Sequence, residues 1–499
     1  MKRFFSGLAV SVFMTLTMGA QDVQPLIQTR WGQNEPFNLL CPLDSASGQR
    51  VLAGCGPIAM AQIIRYARQP SASPSGGDYL WDLMPQSPAT LQEGMAIARL
   101  VADCGINAFT AYGRENSSTQ TQNMVNALKK RFGYNPYIAI VKRELYPGEE
   151  GRKRWLQLIS DELRAGRPVI ARGQKGSDSR SGHLFLIDGL CDTLVHVNFG
   201  WSGKSDGYYT LDSLGGYDTY QRVAVGIGRA DYVPAMREVR TSRAGQLAEL
   251  LPRREWPQVH HLRISGPLDE RDFKLLRLMA REDTIGGQSG FLHSLDLHEA
   301  VLKYLPDSAF KNTQSLVYIR LPKGLQQIGR GAFTGCRGLN GVDIPPSVWR
   351  IRGGAFAGCS NLLDIHIPEG VHNVLSSTFR NCHNLTEVVL PTTIDTLGAS
   401  VFENCRRLER LTIPAATRQI GVGLVRRCPN LQEIIIDPRN TEFAFRNGEL
   451  VGLTKHTQEQ LGQVKRTPQT NYKAYPSTRV RKVKMVKRNG KWVEVKSDK

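Results

Sequence analysis

Beyond its first twenty residues the sequence has no apolar run long enough to cross a bilayer, which excludes an integral helical membrane protein. No cysteine follows the one apolar run it does have, so a lipid-anchored N-terminus is not expected. An even cysteine count is also missing. There are nine, and five of them, Cys336, Cys359, Cys382, Cys405 and Cys428, recur every 23 residues, which marks a repeat and not a disulfide framework. Only Cys41, Cys55, Cys104 and Cys191 remain in the first half. His residues such as the His260-His261 pair have no Cys, His or Asp at ligand spacing, so no metal and no cofactor is expected. Acidic residues are in the minority, 45 against 64 Lys and Arg, for a formal charge of +19. Much of that excess sits after residue 454, where 13 basic residues face 3 acidic ones. Such a run reads as a solvated tail or a contact for anionic cell-surface polymers, and no specific nucleic-acid partner is expected.

What is present divides in two. Lys2 and Arg3, an apolar run from Leu8 to Met18, and Gly19-Ala20 read as a secretory signal over residues 1–20, so the chain is expected to be secreted or on the cell surface. A chain of 499 residues with 41% hydrophobic residues then has material for two or three domains.

The first of these is organised around Gly54-Cys55-Gly56-Pro57, which runs directly into the amphipathic stretch Ile58 to Tyr66. Cys55 is thereby expected at a helix N-terminus, where unpaired N–H groups and the helix dipole favour a thiolate. Taken alone, the stretch reads equally well as a buried free thiol. Residues 91–103, 119–131 and 155–163 have helical periodicity. Apolar runs at 168–171, 184–187, 194–197 and 207–211 read as strands, an α+β plan of a helical lobe followed by an antiparallel sheet lobe.

His183, 128 residues beyond Cys55, opens the second of these runs, and Asn198 follows 15 residues later, with Trp201 as aromatic cover. Cys, His and Asn in that order, with a Cys-to-His gap near the ~130 residues of papain-like enzymes, point to nucleophilic catalysis by a cysteine. Upstream, Gln33 has an amide able to donate to a developing oxyanion.

From Trp31-Gly32-Gln33 through Cys41-Pro42, Ala53-Gly54-Cys55, Ser181-Gly182-His183 and Asp188-Gly189 to His196-Val197-Asn198 and Asp206-Gly207-Tyr208, the chain resembles the streptopain-like cysteine peptidases, papain-fold enzymes secreted by bacteria. The resemblance implies Cys55 as nucleophile, His183 as general base and acid, Gln33 as oxyanion donor with the Cys55 N–H, and Asn198 as the residue that orients His183. It also implies a substrate cleft edged by Gly54, Gly182, Phe199 and Trp201, and makes His196 the histidine before the Asn and not the base. Phe199 stands where the family usually has Trp. The family's type member has an inhibitory prosegment, whereas here the peptidase pattern opens directly after the expected cut, so control by a separate inhibitor, or none, is expected.

In the second half one unit reads Ile328, Phe333, Cys336, Leu339, Val342, Ile344-Pro345, and the next Ile351, Phe356, Cys359, Leu362, Ile365, Ile367-Pro368. A 23-residue unit cannot bury its own apolar face, so the units must stack into a solenoid. The cysteines then read as small core residues at one recurring position. This half resembles the BspA-type leucine-rich repeats of bacterial surface proteins. Strand positions pointing outward, Tyr318, Gly341, Asp364, Glu387 and Arg410 among them, carry mixed charge and suit a protein or glycan.

The expected organisation is a signal at 1–20, a peptidase domain at 21–235, a linker at 236–257, a leucine-rich-repeat domain at 258–445 and a flexible basic tail at 446–499. The expected function is an exported cysteine endopeptidase acting on proteins or peptides through a thioester, with the repeats binding a protein or surface partner. The alternative is an adhesin whose peptidase-like domain is inactive.

Overall fold

The computed structural model of the chain describes residues 22–176, 182–281, 290–446, 449–453, 484–488 and 491–495, so the expected signal lies outside the described residues. In chain order come α1 (Cys55–Ala67), α2 (Leu91–Asn107), α3 (Thr121–Arg131), β1 (Ala139–Lys142), α4 (Gly148–Arg164), β2 (Val169–Gln174), β3 (His183–Cys191), β4 (Leu194–Asn198), β5 (Gly207–Tyr209) and β6 (Thr219–Val225). The chain divides into two compact units, one formed by the residues up to 119 with 152–225, the other by 120–151 with everything from 226 onward.

In the first unit, strands β2 to β6 form an antiparallel sheet in the order β6-β2-β3-β4-β5. Helix α1 is buried continuously from Gly56 to Ile64, on every side and not on the single face its amphipathic reading implies. Pro57 lies in its first turn, where no N–H is needed for the helix ladder. Thr90 and Glu93 close a capping box at the start of α2, each side chain bonding the other's backbone N–H.

The second unit is the solenoid. Strands Tyr304–Leu305, Gln327–Ile328, Arg350–Ile351, Asn373–Val374, Thr396–Leu397 and Gln419–Ile420 form one parallel ladder. A second set pairs Ser294–Asp296 with Tyr318–Arg320 and Gly341–Asp343, then Asp364–His366 with Glu387–Val389, and Arg410–Ile413 with Glu433–Ile436. Pairing Tyr318 with Gly341 and Gln327 with Arg350 advances by one repeat, so the sequence period is the strand register. Inside, Phe310, Phe333, Phe356, Phe379 and Phe402 stack with centroids 5.2–5.6 Å apart. The nine cysteines are all unbridged thiols. In the ladder Cys336, Cys359, Cys382 and Cys405 are buried, and each S–H donates to the carbonyl of the preceding repeat's Phe, as Cys359 does to Phe333 at 3.1 Å.

Three expectations about organisation change. Residues 236–257 were expected as a linker, yet Arg237–Arg240 (β7) pairs in parallel with His261–Pro267 (β8), and Leu247, Leu251 and Trp256 are buried in the repeat core. The segment caps the solenoid, because an end repeat must cover its own apolar face. Within the basic tail, expected to be flexible, the described residues are paired strands: Glu449–Gly452 antiparallel with Phe443–Arg446, and Lys484–Arg488 antiparallel with Lys491–Val495. Finally, residues 120–151 lie on the outward strand positions: Lys130 Nζ is 2.6 Å from Asp364 and 3.5 Å from Glu387, and the Tyr137 and Tyr318 rings meet edge to face at 5.1 Å. Tyr318, Asp364 and Glu387, offered above to a foreign partner, are engaged within the chain.

Candidate active site

Cys55 is the first residue of α1, and Gly54 before it has φ +90°, a conformation that favours glycine. A Cβ on Gly54 would lie 3.1 Å from both the Cβ and the carbonyl of Ser117, so the turn that presents Cys55 also needs the missing side chain. Cys55 is half-buried, whereas Cys41, Cys104 and Cys191 in the same unit are buried. The amides of Leu184, Gly56 and Cys55 itself favour its thiolate. Burial pushes the thiol pKa up, and those amides together with the charge of Arg172 pull it back.

His183 opens β3, one residue before Leu184, and is itself buried. Its ring stacks on Trp201 at 4.7 Å and lies beside Phe199 and Tyr217. Ring Nε2 is 2.9 Å from the backbone carbonyl of Phe199. A carbonyl only accepts, so Nε2 carries the proton and Nδ1 is left as the basic nitrogen. Burial lowers the imidazole pKa to about 4, against the opposing pull of the Phe199 carbonyl, and the charge of Lys175 adds to the lowering. Among the described residues no hydrogen bond joins the sulfur to the ring; Leu184, whose amide favours the thiolate, is the residue after His183.

Asn198 does not orient His183 by the direct hydrogen bond expected of it. Its Nδ2 donates to the Thr29 carbonyl at 2.9 Å, and its Oδ1 accepts from Gly200 N at 3.0 Å and from Gln62 Nε2 at 3.2 Å. Gln62 is a buried side chain of α1, and Thr29 Oγ1 donates to it at 2.8 Å. This closed network ties the Cys55 helix to the end of β4, directly before the carbonyl that holds His183. Asn198 is therefore a positioning residue. Because the bond to His183 comes from main chain, Phe in place of Trp at 199 leaves it intact and keeps the aromatic wall: the Phe199 and Trp201 rings stack at 5.0 Å.

Gln33 is half-exposed, and its carbonyl accepts from Ala53 N at 2.9 Å, two residues before Cys55. No hydrogen bond engages its side-chain amide among the described residues, which leaves that donor for a ligand. The preceding Gly32 passes so close to Ser202 that a Cβ would collide with the hydroxyl, and Ser202 N donates to the Trp31 carbonyl at 3.1 Å. Gly182 is exposed at the start of β3. His196 faces away from this chemistry: its Nδ1 is 2.7 Å from Asp188, a fully buried carboxylate that also accepts from Ile27 N.

Gln62 and Arg172 were not singled out from the sequence. A lone Gln among Ala, Met and Ile in a buried helix was the available signal for the first. No group of three or more potential metal ligands is found among the described residues.

Residues 31–209 match the model of the Peptidase C10 family, and residues 303–432 match the BspA type Leucine rich repeat region in 6 copies. Streptopain of Streptococcus pyogenes serotype M1 is 30% identical over 264 residues, covering 42% of this chain and 64% of streptopain. The thiol protease/hemagglutinin PrtT of Porphyromonas gingivalis is 30% identical over 254 residues, covering 44% of this chain and 28% of PrtT. Among solved structures, active wild-type interpain A cysteine protease of Prevotella intermedia is 29% identical and covers 42% of this chain and 96% of its own, with a TM-score of 0.37. The chain thus spans under two thirds of the curated relatives' length.

Proposed function

We propose that the protein is an exported cysteine endopeptidase. In this reading His183 Nδ1 takes the Cys55 proton and the thiolate attacks a peptide carbonyl. The oxyanion is met by the Cys55 N–H and the Gln33 amide, His183 returns the proton to the leaving amine, and water hydrolyses the thioester. Phe199 holds Nε2–H throughout, so one tautomer serves both half-reactions. The observation that carries the reading is the 2.9 Å bond from His183 Nε2 to the Phe199 carbonyl, which leaves Nδ1 as the basic nitrogen. The peptidase C10 match supports it. For export we rely on the leader-like first twenty residues, and no helix among the described residues is long and apolar enough to cross a membrane.

We propose further that the repeats meet a protein or surface glycan through the exposed row His366, Val389 and Thr412, which residues 120–151 leave open.

The test uses the full chain, because residues 120–151 fold with the repeats. Purified protein is incubated with casein and, separately, with iodoacetamide, beside Cys55→Ser. Cleavage lost in Cys55→Ser is the expected result. Intact casein together with an unreactive Cys55 would overturn the peptidase in favour of an adhesin.

A further inference from the structure

Three sheet residues beside the nucleophile carry a pattern that hydrolysis alone does not need. In β2, Arg172 stands directly opposite Leu184 of β3 on one side and Arg222 of β6 on the other, so the three side chains share one face of the sheet. Opposed like charges repel, and burial together with the charge of Arg222 lowers the preference of Arg172 for its charged form. Among the described residues neither arginine has a hydrogen-bond or ion-pair partner, and Arg222 Nε is buried with no acceptor. A half-buried cation without a partner is costly unless an anion completes it.

Where that anion would sit follows from Gly182. A Cβ built on this exposed glycine would lie 2.9 Å from Arg172 Nη2, so the guanidinium fills the space beside the residue that precedes His183. On the other side of His183 is Leu184, whose amide favours the Cys55 thiolate, as does the charge of Arg172. The positive end is thus at the cleft, within reach of a peptide bound for attack by Cys55.

We propose that Arg172, supported by Arg222, is a specificity-determining residue that selects peptides carrying an Asp or Glu side chain next to the residue whose carbonyl is attacked. The inference rests on the peptidase reading above. The carboxylate supplies the partner the two guanidiniums lack, in the paired geometry to which an arginine fork is suited.

Cuts made by the full-length protein in casein locate the position. Two internally quenched peptides that differ there only by Glu or Gln then measure the preference. The expected kcat/KM ratio of Glu to Gln peptide is about tenfold or more. It falls to near one in Arg172→Gln, is retained in Arg172→Lys, and shifts toward a Lys-containing peptide in Arg172→Glu. Should Arg172→Gln fail to fold, the wild-type ratio and its collapse at about 0.5 M salt decide instead. A wild-type ratio near one overturns the inference, and so does a ratio that survives in Arg172→Gln, which would mean that Arg172 serves the thiolate and not the substrate. Absence of any cleavage with an unreactive Cys55 overturns the peptidase reading itself, a result distinct from cleavage without preference.

Discussion

His183 Nε2 and the carbonyl oxygen of Phe199 lie 2.9 Å apart, and the main chain, not the side chain of Asn198, holds the imidazole. The consequence is a division of labour. Main chain sets the tautomer, and the Asn198–Gln62–Thr29 network sets where helix α1 stands against the sheet.

Asn198→Ala is therefore expected to act first on stability. It removes the acceptor of the Gln62 Nε2 donor and the donor to the Thr29 carbonyl in a buried site, a loss of about 1–3 kcal/mol. Residual kcat should exceed that of His183→Ala, read from urea denaturation and peptide hydrolysis on the same preparations. Equal loss of kcat in the two variants would show that Asn198 acts directly on the ring.

Acid should weaken the first unit through His183. Its pKa is lowered from 6.5 to about 4, so the unfolded chain binds a proton in that interval while the folded chain does not. Stability is then fully present above pH 6.5, falls as the pH drops toward 4, and levels off below, by about 3 kcal/mol. Buried His293, whose pKa also lies well below 6.5, has the same sign in the other unit. The measurement is thus the difference in urea midpoint between wild type and His183→Gln from pH 7 to pH 4; identical slopes would remove the assignment to His183.

Under native conditions iodoacetamide should modify Cys55 well before Cys336, Cys359, Cys382 and Cys405. Those four are buried and donate to backbone carbonyls, whereas Cys55 is half-buried at a helix N-terminus. Peptide mapping by mass spectrometry after short exposure reads the order, and labelling of the ladder at the rate of Cys55 would contradict it.

Phe356→Ala should cost about 3–5 kcal/mol, because it removes a fully buried ring from the middle of the stack and the neighbouring repeats cannot close the gap. Denaturation followed by circular dichroism gives the value. A loss under about 1 kcal/mol would mean the repeats collapse around the cavity.

A fragment of residues 21–240 should lose hydrogen-exchange protection across Thr121–Arg131 relative to the full chain, since Lys130 and Tyr137 would then lack Asp364 and Tyr318. Unchanged protection there would show that residues 120–151 are held without the repeats.

The amino-acid sequence by itself determined the periodic and the local. A spacing of 23 between cysteines is also the offset between paired strands, because stacking units of equal length admits one register. Cys55 at a helix start and His183 at a strand start were legible from Gly, Pro and apolar patterning, which act over a few residues. Helices over 91–103 and 119–131 were likewise anticipated close to their observed spans.

Tertiary structure decided what residue type does not encode. Every residue has a carbonyl, so nothing in the letters distinguishes Phe199 as the acceptor for His183. The cap at 237–256 lacks the period of the repeats because an end unit packs on one side only. Arg172 and Arg222 are 50 positions apart and became neighbours only through the pairing of β2 with β6. In the same way Asp364 passed from a free outward position to a partner of Lys130 when the chain closed on itself, for long-range pairing is set by the packing of whole elements and not by any window of sequence.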